Sequence, residues 1–301
     1  MRRTRRGERL GADLDDEMTR YAYVNVRYAR AAEAAVSIED RGYQFADSVY
    51  EVCLYVNGAY WDEEGHLARL NRSLAALSIS QPMSVRALKS VMNALVRKNR
   101  VKTALVYVQV TRGVAPRTHA FPEKDISPSL VMTARAFNIE NNHAQADRGV
   151  AVVTTPDIRW GRVDIKTTGL LPNVLAKQEA RKAGATEAWL VRNGKVTEGS
   201  SSNAWIVTKA GELVTHPLGA EILGGITRQT VIRCAEAMQI KVVERAFTPA
   251  EALSSAEAFL TSASNLVMPV VKIDGKPIGG GAPGPVAKRL REAYLRECLP
   301  A

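Results

Sequence analysis

Cysteine is scarce in this chain of 301 residues. Cys53, Cys234 and Cys298 are odd in number and far apart, so no disulfide framework is visible, and a reducing cytoplasm is the expected setting. The histidines, His66, His119, His143 and His216, show no zinc spacing, and no metal site is expected. No apolar run approaches the ~18 residues of a membrane helix, and no hydrophobic region follows the N-terminal arginines, so neither a membrane span nor a secretory signal is expected. What the chain does have is basic charge, 41 Lys and Arg against 31 Asp and Glu, a net +10. That total fits nucleic acid, or only an anionic substrate and a solvated surface. The cations are spread along the chain except at Arg2, Arg3, Arg5, Arg6 and Arg9, which Asp13, Asp15, Asp16 and Glu17 roughly cancel. With no nucleic-acid motif and no basic stripe beyond that cluster, no nucleic-acid partner is expected.

A chain of this length with 46% hydrophobic residues favours two domains. Residues 1–17 read as a disordered tail, with Met18 as the natural start. Residues 18–141 read as a small α/β domain, and 142–301 as a large one beginning at the polar run 141–147. Residues 21–28 read as one strand. Asn57-Gly58, Asn193-Gly194 and Asp274-Gly275 each separate strand-like runs and predict tight hairpins. Leu67, Leu70, Leu74 and Leu77 fall at helical spacing, and Ser84 is placed to cap a second amphipathic helix. Further helices are predicted over 173–183, after Gly224-Gly225, and after Pro285. Strands and helices mix, with hairpins in both halves, which argues α+β.

The stretch from Asp164 to Asn203 concentrates chemistry. Lys166 ends an apolar-alternating segment and precedes Thr167-Thr168-Gly169. A lone lysine there is ordinarily solvated, but an imine-forming amine needs this residue type in an environment that keeps it neutral part of the time. Glu198 closes the second hairpin, and a carboxylate is what keeps a pyridine nitrogen protonated. The small hydroxyls of Ser200, Ser201 and Ser202 that follow exceed what a solvated turn requires. Gly225-Ile226-Thr227 opens a helix, where free N–H groups and the dipole suit a phosphate. Arg69 could add a fixed charge to the same phosphate. Arg117 offers a fork for a carboxylate, and His119 and Tyr43 could donate to the same oxygens.

Together these residues resemble the fold-type IV pyridoxal-phosphate enzymes, and among them the D-amino-acid transaminases. The resemblance runs from about Tyr21 to Leu290. It is carried by EDRGYQFADSVYEV at 39–52, QVTRGVAPRTHAFP at 109–122, DIRWGRVDIK at 157–166, VLAKQEA at 174–180, VTEGSSSN at 196–203 and ILGGITR at 222–228. It implies a two-domain α+β fold with pyridoxal 5′-phosphate between the domains. It implies that Lys166 holds the cofactor as a Schiff base and shuttles the proton, and that Glu198 partners the ring nitrogen. Arg69, Gly225, Ile226, Thr227 and Ser262 match phosphate positions, and Leu223 a residue packing on the ring. Tyr43, Arg117 and His119 match a trap for the substrate α-carboxylate, and the loop of Arg117 and His119 reaches into the neighbour's site in a homodimer. Ala46 and Ser48 depart from the pattern where Gly is common, and Ala263 lacks a hydroxyl often found beside Ser262.

The implied reaction is ping-pong transamination between a D-amino acid and a 2-oxo acid. Branched-chain L-amino-acid transaminases, R-selective amine transaminases and aminodeoxychorismate lyases share the lysine and glutamate and stand as alternatives; the Arg117-Thr118-His119 trap favours D-amino acids. Removing residues 1–17 is expected to leave turnover intact, which a steady-state assay of the truncated chain checks.

Overall fold

The structure is a computed structural model and describes residues 20–298. The expected tail at 1–17 and the start at Met18 lie outside those residues. The chain forms two compact units. The first runs to Gly58 and resumes at Leu67–Phe137; the second holds Ala59–His66 and the chain from Asn138 on.

The first unit opens with a hairpin where one strand was expected. β1 (Tyr21–Val24) and β2 (Arg27–Arg30) pair antiparallel across Asn25-Val26. Asn25 stands at φ +57, a conformation that Asn tolerates better than most residues. Its Oδ1 accepts from Leu130 N at 2.9 Å and its N donates to Leu130 O at 2.7 Å. A period-2 pattern cannot report such a reversal, because both strands keep the alternation.

A short helix α1 (Arg41–Phe45) follows, capped by Asp40, whose Oδ1 accepts from Gly42 N at 2.8 Å. β3 (Ser48–Val56) leads through Asn57-Gly58, both at positive φ, to β4 (Ala59–Tyr60). α2 (Glu63–Ala76) buries Leu67, Leu70 and Leu74 at the expected spacing. α3 (Val85–Asn99) starts where Ser84 Oγ accepts from Ala87 N, and buries Leu88, Met92, Leu95 and Val96. β5 (Thr103–Thr111) and β6 (Ser129–Ala136) complete the side-by-side order β2-β1-β6-β5-β3. β5 turns Ala104, Val106, Val108 and Val110 inward, the alternation of a sheet with one packed face.

In the second unit the polar run 141–147 lies within a helix, α4 (Ile139–Arg148), capped by Asn138 Oδ1 accepting from Asn141 N at 2.7 Å. β7 (Val150–Pro156), α5 (Leu171–Lys182) and β8 (Glu187–Arg192) make a crossover between parallel strands. β9 (Lys195–Gly199), β10 (Asn203–Val207), β11 (Leu213–Thr215), α6 (Ile226–Ala237), β12 (Val242–Glu244), α7 (Pro249–Ser254), β13 (Glu257–Ser262), β14 (Leu266–Ile273), β15 (Lys276–Pro277) and α8 (Pro285–Cys298) follow. The sheet order is β12-β11-β10-β13-β14-β7-β8-β9, with β15 on β14. All of β10 is buried, so its strand reads as a continuous apolar run rather than an alternating one. Trp189, Phe247, Ile206, Leu260 and Met268 are among the residues of one core cluster. Glu257 caps α8 by accepting from Val286 N and Ala287 N, both at 2.9 Å. Among the described residues no helix is long and apolar enough to cross a membrane, and no cluster of His, Cys, Asp or Glu could hold a metal.

Ala46, one of the sequence departures, ends α1 in the left-handed region at φ +55. A Cβ is unfavourable there and glycine is not. Ala46→Gly is expected to raise unfolding stability by about 1 kcal/mol, measured by urea denaturation.

Candidate functional site

Lys166 lies in the loop between β7 and α5, not at the end of a strand. The alternation that suggested a strand comes from loop bonds instead: Val163 N donates to Ala220 O at 2.9 Å, Ile165 N to Arg162 O, and Thr167 N to Ile165 O. These bury Val163 and Ile165 while Lys166 stays half-buried. The ammonium is near enough to Glu198 to favour that carboxylate's charged form.

Glu198 faces the interior of the second unit from β9 and is 5% exposed. Oε1 accepts from Arg159 Nη1, and Oε2 accepts from Asn203 Nδ2 at 2.9 Å and from Leu223 N at 3.1 Å. Burial pushes its carboxyl up to about 7, against the opposing pull of Arg159, the Leu223 amide and Lys166. Arg159 is itself buried and holds Asp157 with two bonds, Nε to Oδ1 at 2.9 Å and Nη2 to Oδ2 at 2.8 Å. Burial would raise the Asp157 carboxyl, but the bonds from Arg159 and one from Thr197 hold it at about 2. Arg192 adds a second cation, 3.2 Å from Asp157. Glu198 is thus the outer end of a charge relay, Asp157–Arg159–Glu198. Arg159 and Asp157 carried no expectation beyond the motif that contains them; an Asp-Ile-Arg triplet does not announce that both ends are buried.

The serines do more than a solvated turn requires, and their partner is a carboxylate of the protein itself. They serve Glu187, a fully buried carboxylate on β8. Ser200 Oγ donates to its Oε1, and Ser201 Oγ and Ser202 Oγ to its Oε2 at 2.8 and 3.2 Å. Asn173 Nδ2 also holds Ser200 O at 2.8 Å. A buried carboxylate must find partners, and the three hydroxyls supply them. Their effect on the site is to fix the turn between Glu198 and Asn203.

Asn203 joins that turn to the loop before α6. Its Nδ2 donates to both Glu198 Oε2 and Leu223 O, each at 2.9 Å. Gly225 is the N-cap of α6 and brings no side-chain cap. A Cβ at 225 would collide with Asn203 Oδ1, so glycine is required by the approach of that carboxamide. Ile226 and Thr227 are buried in the first turn. Lys166, Glu198, Leu223, Gly225, Ile226 and Thr227 are therefore all within the second unit, where hydrogen bonds join Glu198, Asn203 and Leu223 and Gly225 lies against Asn203. Ser262 ends β13, one residue beyond the pair Asn203–Thr261. Its Oγ accepts from Asn265 N and Nδ2 at 3.1 and 3.0 Å, so it is engaged in its own turn.

The remaining expected residues lie in the first unit. Tyr43 is 74% exposed on α1. Arg117 and His119 are exposed on the loop after β5, and both pack on Phe45, at 5.0 and 5.5 Å from its ring centre. Arg69 is buried, with Nε and Nη2 on the two oxygens of Glu51 at 2.7 and 2.8 Å.

The raised Glu198 carboxyl has a consequence for folding. A carboxyl whose folded value exceeds its ordinary value of 4.5 stabilises the fold when protonated and loses that contribution as pH rises through about 7. The loss is on the order of 3 kcal/mol. In cofactor-free protein Glu198→Gln is expected to match the parent near pH 4.5 and to exceed it above pH 7, as read from urea midpoints across that range.

The family model for amino-transferase class IV matches residues 48–273. The D-alanine aminotransferase of Bacillus licheniformis is 44% identical over 275 residues, covering 91% of this chain and 96% of that protein. The D-alanine aminotransferase of Staphylococcus aureus (strain MSSA476) is 39% identical over 272 residues, covering 90% and 95%. Among solved structures, the branched-chain amino acid aminotransferase of Escherichia coli superposes with a TM-score of 0.84 at 23% identity over 92% of this chain and 94% of that one, a likeness of fold. That of Thermobaculum terrenum, in its PLP-form, gives 0.78 at 26% identity over 93% and 94%. The expected α+β class stands with these neighbours, and the chain belongs to the class IV aminotransferases.

Proposed function

We propose that this aminotransferase exchanges amino groups between a D-amino acid, such as D-alanine, and a 2-oxo acid, such as 2-oxoglutarate, with pyridoxal 5′-phosphate. The observation that carries the reading is the Lys166–Glu198 pair: an amine and a buried carboxylate in one field, the carboxylate anchored by Arg159. The identity to D-alanine aminotransferases supports the D-amino-acid substrate.

The residues present fit the cofactor. Glu198 keeps a buried anion for a protonated ring nitrogen, and the start of α6 has no side-chain cap over its first amides, as a phosphate needs. When bound, pyridoxal 5′-phosphate supplies an electron sink for the bond at the substrate α-carbon. Lys166 would hold the cofactor covalently through its amine. Its Nζ would then be the group that moves the substrate α-proton as acid and base. Glu198 would face the ring nitrogen and favour its protonated form. Arg69, Gly225, Ile226, Thr227 and Ser262 would bind the phosphate, with Leu223 against the ring. Tyr43, Arg117 and His119 bind the α-carboxylate.

The proposed assembly is a homodimer in which the 117–119 loop serves the partner's site. Ile158, Trp160, Leu171, Val174 and Leu175 support it, being apolar yet exposed on the second unit. The cytoplasm is the proposed compartment, since Cys53, Cys234 and Cys298 are all free thiols.

Lys166→Ala is expected to lose the visible absorbance of bound cofactor and to lower turnover by roughly 10²–10⁴-fold. D-alanine with 2-oxoglutarate should support turnover of the parent enzyme and L-alanine should not; a response to L-alanine alone overturns the substrate assignment in favour of the branched-chain type.

A further inference from the structure

Within the first unit, Arg41 is buried at 2% exposure although it is a charged residue on a five-residue helix. Its guanidinium reaches in three directions. Nε donates to Asp47 Oδ2 at 2.8 Å, Nη1 to Thr118 O at 2.7 Å, and Nη2 to His119 O at 3.5 Å. Asp47 is shared with Arg112, whose Nε and Nη2 donate to its two oxygens at 2.7 and 3.0 Å. Burial would raise the Asp47 carboxyl, but these two arginines hold it below its usual range. Arg112 also bonds Leu77 O and Ser78 O and lies 3.7 Å over the Phe121 ring. The anion therefore fixes both cations, and the cations fix the loop.

The same helix presents Phe45. Arg41 lies 4.9 Å from its ring centre, Arg117 5.0 Å, and the His119 ring 5.5 Å. The backbone of 118–119 is thus held from within by Arg41 while the side chains of 117 and 119 rest on Phe45. The helix start is tied to the loop's root as well: Arg41 N donates to Gly113 O at 2.9 Å and Thr111 Oγ1 to Asp40 Oδ2 at 3.0 Å.

We infer that Arg41, oriented by Asp47 and backed by Phe45, is the positioning residue of the carboxylate-recognising loop. α1 then sets both the position of Arg117 and His119 and that of Tyr43, which it carries. The inference rests on the reading of Arg117 and His119 as carboxylate binders. A lysine cannot replace Arg41 in this role, because a single ammonium lacks the planar fork that serves an anion and two carbonyls together. Losing charge-assisted bonds of this kind loosens the loop without touching the reacting atoms.

Arg41→Lys holoenzyme is expected to raise the KM for D-alanine roughly 10-fold or more while kcat stays within about threefold, the pattern of lost uniform binding. The visible absorbance of bound cofactor should not change. Amide hydrogen exchange in peptides spanning 114–122 should accelerate by about 10-fold or more, with exchange in β5 and β6 unaltered. Phe45→Leu, which keeps apolar bulk but removes the ring, should shift KM and loop exchange in the same direction, and carries the test if Arg41→Lys does not fold. Unchanged loop exchange, or an unchanged KM beside accelerated exchange, overturns the inference. Arg117→Ala separates the two readings: if it leaves KM unaltered, the carboxylate assignment fails, whereas loop exchange in Arg41→Lys still decides whether Arg41 positions the segment.

Discussion

A carboxylate without water needs a cation, and the second unit meets that need at Glu198. Burial alone would neutralise the group; Arg159 opposes this, and Asp157 in turn anchors Arg159. The neighbouring elements follow from holding this chain of charges still. The loop before Lys166 carries Asp157 and Arg159, the hairpin β8–β9 delivers Glu198, and the loop before α6 reaches it through Leu223 N. In the proposed reading, a ring nitrogen brought to Glu198 would meet an acceptor that is already oriented.

The first unit solves a related problem with opposite signs. There one buried carboxylate, Asp47, organises two arginines, and those arginines hold backbone carbonyls of a loop whose own side chains are cationic or imidazole. Arg117 and His119 could not be held close by their neighbours' charges without mutual repulsion. Fastening the peptide carbonyls and seating the side chains on Phe45 avoids it, since a ring face attracts cations and tolerates imidazole.

Much of this was legible in the sequence because the relevant signals are local. The Asn-Gly and Asp-Gly turns, the leucine spacing of α2, the Ser84 cap and the glycine at the start of α6 each report a constraint that acts within a few residues. Lys166 and Glu198 were singled out by their local context, while the roles proposed for them rest on the resemblance, as neither spacing nor composition assigns a role to either side chain. The misses share a physical cause. Asn25 reverses a strand without breaking its alternation. Ser200, Ser201 and Ser202 point to Glu187, thirteen to fifteen positions away. Arg159 meets Glu198 across 39 positions. Side-chain partnerships between residues far apart in the chain leave no periodic trace at either end.

The approach of Asn203 to Gly225 ties two segments together more tightly than their separate hydrogen bonds suggest. The carboxamide that links Glu198 to Leu223 occupies the space a side chain at 225 would need. Enlarging position 225 first requires shortening position 203, and that removes the bridge. Variation at these two places is therefore confined to a narrow corridor, and a mutational walk entering from either side meets a disconnected acidic group before it meets a new shape.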